Sequence, residues 1–138
     1  MTESKWTTDF SHWLNANWPA GLSAGFEVKY IKPPAKSFSL ARWLEKQPHQ
    51  FRNLKLCGKK LVYKISDSGE GQKCFDLFCL SEAPGYLVLR FENRKNKHFF
   101  LLETSVVDKL IANNTTLLTY NDCLGIEGMR MGVLGNKE

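Results

Sequence analysis

Trp6, Phe10, Trp13, Leu14 and Trp18 recur at spacings of 4, 3, 1 and 4, the pattern of one apolar face on a helix that starts near Thr2 and ends before Pro19. A face with three tryptophans cannot stay in water, since burying one large apolar side chain is worth about 1.5–3 kcal/mol. This helix therefore packs as core against another layer. The segment from Pro19 to Gly25 reads as a turn or short strand, and it leads into Gly25-Phe26-Glu27-Val28-Lys29-Tyr30-Ile31, which alternates as a strand does. Helix followed by strand sets an α/β order at the start of the chain.

The rest of the chain extends that order. Lys32-Pro33-Pro34-Ala35-Lys36 breaks regular structure, Ser37 to Leu44 reads as a loop or irregular turn, and Pro48 fits the first position of a helix that runs to about Cys57 and stops at Gly58. Strands are expected over Lys60 to Ser66, Lys73 to Leu80, Gly85 to Phe91 and His98 to Glu103, joined by polar connections into an antiparallel or mixed meander. Thr104 is placed to cap a final helix through Ala112. Past Asn113 the glycines at 125, 128, 132 and 135 interrupt any period, so the expected organisation is a domain over 1–112 and a C-terminal extension over 113–138.

Length and charge narrow the partners. A chain of 138 residues with 43% hydrophobic side chains builds one core, and disorder is excluded as its general state. The formal charge of +5, spread along the chain with no basic tail, favours an anionic partner such as nucleic acid. The longest apolar stretches fall well short of the roughly 20 residues of a membrane span, and Met1 to Lys5 lack the apolar region of a secretory signal. A soluble cytoplasmic protein with no membrane partner is expected. Cys57, Cys74, Cys79 and Cys123 lack the paired spacing of a zinc site and read as buried thiols, and His12, His49 and His98 form no ligand pair.

The strand at Gly25 to Ile31 also carries the first chemistry. Alternation sends Phe26, Val28 and Tyr30 to one face and Glu27, Lys29 and Ile31 to the other, with the α-carbons of Glu27 and Lys29 roughly 6.6 Å apart at about 3.3 Å per residue. A carboxylate for a divalent cation beside an ammonium for water or phosphate is the arrangement of a metal-dependent nuclease. The same pair on an exposed strand is also what a solvated surface ion pair looks like. A second acidic residue, Asp76, lies in Cys74-Phe75-Asp76-Leu77-Phe78-Cys79-Leu80, where its neighbours are apolar. Desolvating an unpaired carboxylate costs several kcal/mol, so Asp76 requires a cation, an ammonium, a hydrogen-bonding backbone or a place at the sheet edge. A structural role and a metal-site role both satisfy that demand.

The order of a Trp-rich first helix carrying Glu3, then Gly25-Phe26-Glu27-Val28-Lys29, then Lys36-Ser37-Phe38-Ser39, then Pro48-His49-Gln50, resembles the PD-(D/E)XK nuclease superfamily. Within it the chain looks most like RecU-type Holliday-junction resolvases and their small phage-borne relatives, over roughly residues 3–110. The resemblance implies a restriction-endonuclease-like core, a mixed central sheet flanked by helices, and a magnesium- or manganese-dependent DNA endonuclease selective for branched structures and acting as a homodimer. It implies Glu27 as the acidic metal ligand, Lys29 as the residue that positions the attacking water, Gln50 as a supporting side chain, and Glu3 as an acidic residue reaching the metal shell. One departure stands out. The family carries a metal-binding Asp on the strand before Glu-x-Lys, whereas Pro19 to Phe26 contain no acidic residue, so Asp76 is expected to substitute for it.

The expected site is then Glu27, Lys29, Asp76 and Gln50 for catalysis and Glu27, Asp76 and Glu3 for the metal, with Lys32, Lys36, Arg42, Lys46 and Arg52 on the DNA backbone. The alternative is a catalytically inactive nucleic-acid-binding module that keeps the nuclease-like fold.

Overall fold

Every residue of Gly85–Phe91 is buried, which makes this strand, β5, the middle of the molecule. The computed structural model describes residues 3–19, 24–56, 61–67, 73–79, 84–92 and 97–134, with only the strand backbone described between 57 and 83. On one edge β5 pairs in parallel with β1 (Gly25–Ile31), in a register running from Gly25 opposite Gly85 to Ile31 opposite Phe91. On the other it pairs antiparallel with β6 (His98–Glu103), which pairs in turn with β8 (Arg130–Val133). The result is a mixed four-stranded sheet in the order β1-β5-β6-β8.

Alternation divides this sheet between two helical layers. Tyr86, Val88, Phe99 and Leu101 face α1 (Glu3–Asn17), whose Trp6 and Phe10 are 0% and 2% exposed, so the apolar face read from the Trp spacing is the packing face. Leu87, Leu89, Phe100 and Leu102 face the opposite layer, made of α2 (Leu40–Lys46), α3 (Pro48–Leu56) and α4 (Thr104–Ala112). The protein is thus mixed α/β, with a mixed sheet flanked by helices. A Cβ at Gly85 would lie 2.2 Å from the Leu54 carbonyl oxygen, so the absent side chain lets the backbone of α3 rest directly on the start of β5. That contact fixes how close the helices over Glu27 and Lys29 come to the sheet. Among the described residues no helix is long and apolar enough to cross a membrane.

Several expectations need correction. Ser37 to Leu44, read as a loop, forms β2 (Ser37–Ser39) and the first turns of α2; the Ser39 hydroxyl accepts from the Arg42 amide at 3.2 Å, and this cap starts a helix that the short apolar period concealed. The single meander is divided. β3 (Leu61–Asp67) and β4 (Lys73–Cys79) pair with each other in a separate two-stranded ladder, while β5 pairs with β1 and β6. Thr104 is the first residue of α4 rather than its cap, a position held by Glu103 without a side-chain bond. The residues after Asn113 contribute β7 (Leu117–Thr119), antiparallel to β2, then α5 (Tyr120–Leu124) and β8. Leu118 and Cys123, 1% and 0% exposed, belong to the same core cluster as Leu87 and Trp43. Cys123 is a free buried thiol, as read from the sequence, while the side chains of Cys57, Cys74 and Cys79 lie outside the described residues.

Candidate functional site

Glu27 and Lys29 share one face of β1, and the parallel register sets them opposite Leu87 and Leu89, on the side covered by α2 and α3. Because β1 is an edge strand of the four-stranded sheet, these two polar side chains reach water past the helices while their stems lie against core. The Lys29 ammonium Nζ lies 3.8 Å from Glu27 Oε2, with the two side chains 16% and 29% exposed. It also donates a hydrogen bond to Gln47 Oε1 at 3.1 Å. One hydrogen bond, to Gln47, and the charge of Glu27 beyond hydrogen-bond distance hold the ammonium in place, which a freely solvated surface pair does not require.

Gln47 is the residue that sequence reasoning missed. It is the C-cap of α2, its backbone N–H bonded to the Trp43 carbonyl at 2.8 Å, and Pro48 opens α3 immediately after it. The junction between the two helices thereby turns the Gln47 amide toward β1. Nothing in the periodicity marks it; the one available signal is a polar residue just before a helix-starting proline. Gln50 does something else. Its Oε1 accepts from the indole N–H of Trp43 at 2.7 Å, and Trp43 is only 4% exposed, so Gln50 satisfies a buried donor and holds the aromatic wall of the cleft.

In front of Lys29 lies a cleft of about 270 Å³ lined also by Ser39, Arg42, Trp43, Lys46 and Gln47. Arg42 and Lys46 stand one helical turn apart on α2, so three cations border one opening. The Lys46 ammonium is 4.0 Å from Glu45 with both side chains largely exposed, a weak contact that leaves its charge available. The other expected backbone contacts sit apart from this cleft: Lys32 and Lys36 are exposed between β1 and β2, and Arg52 is exposed on α3. Glu3 is exposed at the start of α1, the helix on the reverse face of the sheet, where the Trp6 indole donates to the Lys29 carbonyl at 3.2 Å. Asp76 lies on β4, where its backbone is opposite Lys64 in the two-stranded ladder; its side chain lies outside the described residues. Among the described residues no three His, Cys, Asp or Glu side chains gather in a group able to hold a metal ion, and Glu27 offers one carboxylate beside the cleft.

A second cavity, of about 360 Å³, opens at the end of β1, where Ile31 lines it two residues after Lys29 lines the cleft. Pro33, Pro34, Phe91 and Tyr120 line it, together with the charged Lys36 and Glu92. Tyr120 is held by the imidazole of His98, Nδ1 to Oη 3.2 Å, and by edge contacts with Phe91 and Phe100. Glu92 accepts from the Tyr30 hydroxyl at 2.5 Å. Burial first, and then the bond to the Glu92 carboxylate, push the Tyr30 phenol up to about 12.

Comparison with protein-family models, curated proteins and solved structures finds no match. The functional reading therefore rests on the cleft itself and on the ordered motifs in the chain.

Proposed function

We propose that this protein binds DNA through its phosphodiester backbone in the cleft between β1 and α2, and that it cuts the backbone as a metal-dependent endonuclease of the PD-(D/E)XK type with a restriction-endonuclease-like core. The observation that carries the reading is the Lys29 ammonium, held between Glu27 and Gln47 at the mouth of a cleft bordered by Arg42 and Lys46. Arg42 and Lys46 neutralise phosphate charge and orient the strand without reading its sequence. Lys29, positioned by its bond to Gln47 and by the neighbouring Glu27 charge, hydrogen-bonds a phosphate oxygen or the attacking water where negative charge grows. Magnesium or manganese would supply charge neutralisation and a more acidic bound water, with Glu27 and Asp76 as the carboxylates expected to hold it. Selectivity for branched DNA and a homodimer follow from the resemblance to RecU-type resolvases, whose junction substrate presents two symmetric strands.

One observation favours a second reading. Among the described residues the cleft has a single carboxylate, Glu27, which by itself is too few ligands for a resident magnesium ion. A catalytically inactive module that binds nucleic acid with the same basic cleft is the alternative. Purified protein incubated with branched and linear DNA, with magnesium or with chelator, separates the two beside Glu27→Ala and Lys29→Ala. Magnesium-dependent cutting lost in both variants establishes the nuclease. Salt-sensitive binding without any cutting establishes the module, and absence of binding at low salt refutes both.

A further inference from the structure

We propose that the cavity beside the basic cleft is a binding site for one unpaired nucleobase, so that the protein grips a single-stranded or splayed segment by base as well as by backbone. The inference rests on the backbone-binding reading and adds the substrate class that the same surface prefers. Its first support is continuity. Ile31, in the cavity wall, shares a face of β1 with Lys29 two residues earlier, roughly 6.6 Å away, and β2 runs from the Lys36 side of the cavity to Ser39 in the cleft. A strand whose phosphate lies against Lys29, Arg42 and Lys46 would carry a neighbouring base to the cavity opening.

The second support is the lining. Tyr120 offers a ring fixed by His98 and by the Phe91 and Phe100 rings, and the exposed prolines at 33 and 34 form an apolar wall, which together suit a flat aromatic heterocycle. A volume of about 360 Å³ lies at the small end of small-molecule sites and is enough for one base with its sugar. The third support is polar. Glu92 lines the cavity with one carboxylate oxygen, Oε1, taken by the Tyr30 hydroxyl, and its other oxygen, an acceptor when ionised, matches the N–H edge of a base whose Watson–Crick partner is absent. Lys36, on the solvent side, meets the phosphate of that nucleotide. A base already paired in a duplex turns this edge to its partner, so the cavity discriminates for unpaired nucleotides.

The test measures fluorescence anisotropy in chelator, using a short labelled single strand and the same backbone with every base replaced by an abasic site. The wild-type chain should bind the base-bearing strand about tenfold more tightly. Ala35→Leu, at an exposed position lining the cavity, should erase that margin and leave abasic binding unchanged, while Arg42→Ala weakens both strands alike. Tyr120→Leu, checked for an unchanged unfolding midpoint, should erase the margin too. Equal wild-type affinity for the two strands overturns the base site and leaves the backbone reading intact, as does a margin that survives both cavity variants. Failure of either strand to bind at low salt overturns both.

Discussion

Two glutamines three residues apart are assigned opposite tasks by their partners, and exchanging which one is lost tests the assignment. Gln50 accepts the Trp43 indole N–H at 2.7 Å, and Trp43 is 4% exposed. Gln50→Ala leaves that donor buried without an acceptor, a cost of about 1–3 kcal/mol. At roughly 3–5 °C per kcal/mol for a domain near this size, the melting temperature should fall by about 3–15 °C. Gln47 instead bonds a charge that still meets water, because the Lys29 side chain is 16% exposed. Water replaces the lost amide there, and Gln47→Ala should cost only about 0.5–1 kcal/mol. Its consequence lies in function: the freed ammonium samples more positions, which lowers DNA cutting, or DNA affinity if the protein only binds. Urea unfolding followed by tryptophan fluorescence, paired with a DNA gel shift and cutting assay, reads both effects. A Gln50→Ala protein with an unchanged midpoint and impaired DNA handling, beside a strongly destabilised Gln47→Ala, would refute the division of roles.

Three further expectations follow from the same geometry. Gly85→Ala places a methyl group 2.2 Å from a backbone oxygen that no rotamer can move, so it should destabilise by about 2–4 kcal/mol in urea unfolding, whereas Gly125→Ala, with its nearest atom at 3.7 Å, should stay within about 0.5 kcal/mol. The Tyr30 phenol, raised from 10.0 to about 12, favours the folded state fully below pH 10 and loses that contribution as pH climbs from 10 through 12; a Tyr30→Phe variant should show a flatter stability profile across that window, with ultraviolet absorbance reporting the late phenolate. Arg42→Ala should reduce the slope of log affinity against log salt by roughly 0.9 on duplex DNA, and an unchanged slope would remove Arg42 from the backbone interface.

Much of the fold was legible because it depends on local periods. The α1 face, the alternation of β1, the Pro48 helix and the strands at β5 and β6 each follow from residues close together in the chain, where apolar spacing at 3.6 or 2 leaves one way to bury the surface. The split of β1 into a Phe26 face and a Glu27 face follows from alternation alone, and so does the placing of Glu27 beside Lys29. Short elements with weak periods were not legible. The three residues of β2 and the four of β8 become strands only because β7 and β6 supply partners from far along the chain.

The site divides in the same way. The amino-acid order determined that a carboxylate and an ammonium would project together from one strand, since side-chain direction on a strand is a covalent consequence of position. Tertiary structure alone decided what surrounds them. The junction of α2 and α3 turns Gln47 rather than Gln50 to Lys29, α2 brings Arg42 and Lys46 to the same opening, and β4 pairs with β3 in a ladder of its own. Such neighbours are chosen by how close one backbone approaches another, as where Gly85 admits α3, and no spacing within a single segment encodes that distance.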